Sequence, residues 1–130
     1  MSIGDSATPL GKVEGLGASG HGGKHWLEER FTSVALVLLS LWLIFSLIML
    51  PVLDLQTLTE WLGSAWGAVP MALFVITAFK HGLDGLKAVV DDYVHDDGNR
   101  IALHFALAML AIAGAAASLF ALAKIALGAA

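Results

Sequence analysis

FTSVALVLLSLWLIFSLIMLPVL, residues 31–53, runs for 23 residues without an Asp, Glu, Lys or Arg. A helix rises about 1.5 Å per residue, so about 20 apolar residues cross a hydrocarbon core about 30 Å thick. Inside that core every backbone amide must find its partner within the protein, which an α-helix does by itself. Two further uncharged runs, Trp61–Phe79 and Ile101–Ala123, have spanning length. With 58% of the 130 residues hydrophobic, 14% charged and a mean hydropathy of +0.80, the chain is far more apolar than a soluble domain. The fold class is all-α: an integral membrane protein of three transmembrane helices, expected over about 25–50, 68–93 and 100–127.

The boundaries follow from local chemistry. Lys24-His25-Trp26-Leu27-Glu28-Glu29-Arg30 is charged and aromatic without a helix breaker, so it reads as the interfacial turns of the first helix, with Trp26 at headgroup level. Pro51 ends that helix, since proline has no amide proton and disfavours helix in the residue before it. Trp61 and Trp66 flank the entry to the second helix, with Pro70 expected in its first turn. Gly98-Asn99 is the turn signal before the third. Gly114 and Ser118 give that helix a small-xxx-small face for close contact. Residues 1–23 hold seven of the fourteen glycines and are expected to form a cytoplasmic arm, with residues 24–130 as the membrane domain.

Several functions are excluded. The three spans leave no room for a soluble catalytic domain, so chemistry lies in the membrane or on another polypeptide. The absence of cysteine rules out iron–sulfur ligation and disulfides in this chain. The net charge of -4 gives no footing for nucleic acid. Residues 1–23 lack both the apolar core of a secretory signal and the Arg-rich, acid-poor pattern of a mitochondrial transit peptide, so a bacterial inner membrane is the expected location. Lys12, Lys24 and Arg30 precede the first helix and no Lys or Arg lies between the first two runs. Under the positive-inside rule the N-terminus is cytoplasmic and the C-terminus periplasmic.

Within that frame, His81-Gly-Leu-Asp-Gly-Leu-Lys-Ala-Val-Val-Asp-Asp-Tyr93 carries the chemistry. His81 closes the second uncharged run and is expected deep in the membrane. Eleven residues on, Asp92 returns to within about 20° of the same helix face and about 16 Å along the axis, at the cytoplasmic surface beside Tyr93. A ring nitrogen, nearby glycines, an interfacial carboxylate and a phenol suit redox chemistry. The structural alternatives are a histidine bonded to a neighbouring helix, a tyrosine of the interfacial belt and a solvated acid. Lys80, Asp84 and Lys87 lie at i,i+4 and i,i+3, so pairing within the helix explains them. His104 lies too near the end of its helix to match the depth of His81.

The His-x10-Asp-Tyr pattern resembles the second transmembrane helix of the D-type membrane anchor of succinate dehydrogenase, the succinate:ubiquinone oxidoreductase. The Gly-Lys-His-Trp lead-in followed by Arg-Phe-Thr is similar to the start of that family's first helix. The resemblance implies that His81 is an axial ligand of haem b. It implies that Tyr93 and Asp92 belong to a ubiquinone site and that Arg30 and His25 approach the haem propionates. The implied partners are a second cytochrome b anchor subunit, which supplies the other axial ligand, an iron–sulfur subunit, a flavoprotein subunit and the lipid bilayer. This chain is not catalytic alone. Two other readings stay open: the anchor of a quinol:fumarate reductase, and a small multipass transporter or scaffold without haem.

Overall fold

The computed structural model of the chain describes Thr8 and residues 22–128, without the side chains of Lys24 and His25. The expected arm, apart from Thr8, Gly22 and Gly23, and the expected role of His25 lie outside the described residues. Among the described residues there are four helices: α1 (Gly22–Ile48), α2 (Leu55–Gly63), α3 (Ala65–Tyr93) and α4 (Asp97–Ala126). Among the described residues there is no strand. The helices α1, α3 and α4 each contain a stretch long and apolar enough to cross a bilayer, and the chain is a multipass membrane protein.

The short α2 stands where the sequence reading had only a connection. Asp54 caps it, its side chain accepting from the Thr57 amide at 2.8 Å. Leu55, Leu58, Trp61 and Leu62 recur at helical spacing, and Trp61 stacks on Trp42 of α1 with ring centroids 5.6 Å apart. Asp54 followed by that spacing is an N-cap signal that was available in the sequence.

Ser64 then acts for two helices. Its backbone amide donates to Trp61 O, and its hydroxyl accepts from the Gly67 amide at 3.1 Å to start α3. A Cβ on Gly67 would lie 2.1 Å from the Trp61 carbonyl oxygen, so only glycine allows this sharp α2–α3 turn. Because Ser64 starts α3 at Ala65 rather than at the expected residue 68, Pro70 sits one turn further inside than expected. The Trp66 carbonyl consequently lacks its helical donor.

A similar shift occurs at α4. Asp96 caps it by accepting from the Asn99 amide at 2.8 Å, and Asp97 pairs with Arg100 in the first turn. Gly98 and Asn99, expected as the turn, are helical, and the connection shrinks to residues 94–96. The local cap outweighs the turn propensity of the glycine. At the other boundaries α1 ends at Ile48, ahead of Pro51, and α4 ends at Ala126.

The three long helices form a row. α3 packs against α4 along one side and α1 along the other, while the backbones of α1 and α4 do not approach each other among the described residues. The α3–α4 seam is tight where Phe79 meets Gly114, and Ser118 donates back to the Gly114 carbonyl at 2.8 Å. Only Gly67, Asp84 and Leu122 are buried among the described residues. Large apolar side chains such as Phe31, Phe45, Leu110 and Phe120 face outward, as suits a surface in contact with lipid.

Candidate functional site

The α1–α3 seam brings the sequence-singled residues together around His81. Thr32 on α1 places its Oγ1 3.1 Å from His81 Nδ1, the two residues lying 49 apart in the chain. The same hydroxyl donates to the Glu29 carbonyl at 3.0 Å, and Ser33 donates to that carbonyl at 2.8 Å. Beside this junction a cleft of about 220 Å³ is lined by Glu29, Arg30, Ser33, His81, Asp84 and Gly85. Arg30 stacks its guanidinium over the Trp26 ring at 5.3 Å and forms no ion pair among the described residues. Thr32 was not singled out in the sequence. The only available signal was a hydroxyl two residues after Arg30, which says nothing of its reach across to another helix.

The contact also relates His81 to the uncharged runs of both helices. Thr32 is the second residue of the uncharged run of α1, and Phe79 is the last of the uncharged run of α3. His81 therefore stands where the uncharged parts of both helices end. Measured on α3 and α4 alone it is near mid-helix, since Phe79 meets Gly114. The last turns of α3 run beside the charged lead-in of α1. Lys80, Asp84 and Lys87 share that zone. Asp84, 7% exposed, is paired with Lys80 one turn back, so the pairing within the helix is present for those two.

The two glycines near His81 separate. Gly85 lines the His81 cleft, whereas Gly82 opens on a different cleft, between α3 and α4, with Leu83, Leu107 and Leu110. A Cβ at either would meet nothing within 4 Å, in contrast with Gly67 and Gly114. Packing inside this chain does not demand glycine at 85, and a mid-helix glycine costs about 0.5–1 kcal/mol relative to alanine.

Twelve residues further along the unbroken α3, Tyr93 is 78% exposed and Asp92 is exposed. They share the end of the molecule that carries the charged lead-in of α1. Asp91 turns the other way, toward α4, where its Oδ1 lies 3.1 Å from His104 Nε2, off the axis of a hydrogen bond, and 4.0 Å from Arg100 Nε. His104 thus belongs to an α3–α4 contact and has no part in the His81 cleft. No group of three or more metal-ligating side chains occurs among the described residues, so His81 is a single imidazole donor.

Residues 4–117 match the family described as succinate dehydrogenase/fumarate reductase transmembrane subunit. The chain is 31% identical over 124 residues to the succinate dehydrogenase hydrophobic membrane anchor subunit of Paracoccus denitrificans, covering 94% of each. It is 29% identical over 108 residues to the protein of the same name from Rickettsia bellii (strain RML369-C), covering 83% of this chain and 86% of that one. No solved structure matches. With nearly its whole length inside the match, the chain belongs to the succinate dehydrogenase/fumarate reductase transmembrane subunit family.

Proposed function

We propose that the chain is the D-type membrane anchor of a bacterial succinate dehydrogenase, sharing haem b with a second cytochrome b anchor subunit and contributing to a ubiquinone-reduction site. The observation that carries this is the His81 cleft. It offers one imidazole held at a helix seam, a glycine whose missing side chain leaves space, and at the rim an arginine that forms no ion pair among the described residues.

The residues present fit haem as half of a site. His81 would supply one axial nitrogen, Gly85 the room for a flat macrocycle, and Arg30 a cation for a propionate, with the second axial ligand coming from the partner. When bound, haem supplies one-electron storage. Tyr93 and Asp92, exposed at the cytoplasmic end, would respectively donate a hydrogen bond to a quinone carbonyl and support the phenol or the proton supply. The exposed apolar faces suit the second anchor subunit, and the charged end suits the iron–sulfur and flavoprotein subunits. The N-terminus would lie in the cytoplasm and the C-terminus in the periplasm of the inner membrane.

Purification in mild detergent followed by a visible spectrum tests the reading. Co-purifying soluble subunits and a low-spin haem b spectrum are expected. His81→Ala should abolish or alter that spectrum, and His104→Ala should leave it nearly intact. A haem-free preparation without partners would favour a transporter or scaffold. The anchor of a quinol:fumarate reductase would instead show the opposite preferred direction of turnover.

A further inference from the structure

With the Thr32 hydroxyl bonded to the Glu29 carbonyl, one arrangement of protons satisfies the Thr32–His81 junction. Thr32 Oγ1 carries one proton and donates it to the Glu29 carbonyl. Its lone pairs remain to accept, and His81 Nδ1 stands 3.1 Å away. The hydroxyl cannot give the same proton to both partners, so with Glu29 as its acceptor the proton of the second bond belongs to His81. That puts hydrogen on Nδ1 and leaves the lone pair on Nε2, for which no hydrogen-bond partner exists among the described residues. A neutral imidazole binds a metal through the nitrogen without the proton, and the bond made by the other nitrogen fixes both tautomer and ring direction.

We infer that Thr32 is the positioning residue for His81, accepting from Nδ1–H across the α1–α3 seam so that Nε2 is presented as the iron ligand. The inference rests on the reading of His81 as a haem ligand and adds what that reading leaves open: what holds the ring, and how the ligand is tuned. An acceptor on Nδ1–H gives the imidazole partial imidazolate character, which makes it a stronger donor and favours the ferric state. Thr32 therefore lowers the reduction potential of the haem. Ser33 holds the same Glu29 carbonyl, so the backbone there keeps a donor when the Thr32 hydroxyl is removed.

The test is a redox titration of haem absorption in the intact membrane complex carrying Thr32→Val, Thr32→Ala or Thr32→Ser, with low-temperature electron paramagnetic resonance of the ferric haem. Val and Ala should raise the potential and shift the largest g value at near-normal haem content, while Ser should match the parent. Haem loss in both Val and Ala with retention in Ser would support the same assignment, because only the hydroxyl is common to Ser and Thr. Parent-like potential and g values in Val or Ala would overturn it, as would a Ser variant displaced as far as Val. Failure of the underlying reading is separately visible, since His81→Ala would then keep the parent haem spectrum whatever Thr32 does.

Discussion

Phe79 and Gly114 meet so closely across the α3–α4 seam that a Cβ built on Gly114 would lie 2.6 Å from Phe79 Cε1. Lipid tails are as apolar as leucine, so helices in a bilayer associate through such close packing and through hydrogen bonds rather than by escape from water. Gly114→Ala forces the ring to move, and overpacking of this kind costs about 1–3 kcal/mol. Gly114→Val should cost more, and Phe79→Leu should restore part of the loss. The melting temperature of the detergent-solubilised complex reads this series, and no change in Gly114→Val would show that the seam is looser than described.

At the cytoplasmic end, Tyr93→Phe keeps the ring and removes one hydroxyl. A hydrogen bond lost from a buried partner costs on the order of 1 kcal/mol or more, which is several-fold in rate. Ubiquinone reduction should fall by about that factor, while succinate oxidation by a soluble artificial acceptor persists. Equal loss of both activities would indicate an assembly defect. Loss of neither would make Tyr93, 78% exposed in the isolated chain, a residue of the interfacial belt.

The proposed topology has three spans with the two termini on opposite sides of the membrane and Met1 inside, the side the positive-inside rule gives for the basic residues before α1. Reporter tags that are active only in the periplasm should therefore work after Ala130 and fail before Met1. The reverse pattern, or activity at both ends, would contradict the orientation.

Asp54 gives the opposite end a dependence on acidity. The Thr57 amide bonded to its carboxylate holds the Asp54 carboxyl below its ordinary value of 3.8. The folded-state value is depressed relative to the unfolded one, so the contribution of the cap is complete above about pH 4. It is lost as pH falls through the folded value. Intrinsic-rate-corrected hydrogen exchange of the first-turn amides of α2 should show protection that declines over that interval. Asp54→Asn, which also caps helices, should keep protection without the decline, and Asp54→Ala should lose it at every pH.

What could be read in advance was whatever depends on one helix at a time. Length and charge exclusion located α1, α3 and α4, and the 11-residue spacing of His81 and Asp92 holds on a helix unbroken to Tyr93. Gly114 was legible as a close-contact residue because spacing of small residues is periodic. The remainder depends on two elements meeting. Thr32 was invisible, because its partner lies 49 residues away. Gly82 and Gly85 look equivalent in the sequence but open on different clefts. The short α2 was missed although its Asp54 cap is local, because attention to spanning length passes over a nine-residue helix.

The row of helices, in which the backbones of α1 and α4 flank α3 without approaching each other among the described residues, also bears on biogenesis. A chain with so few buried residues keeps little of its stability to itself, and each helix retains faces that other subunits must cover. Synthesised ahead of its partners, such a subunit is an orphan whose exposed seams and ionisable residues are what membrane quality control removes.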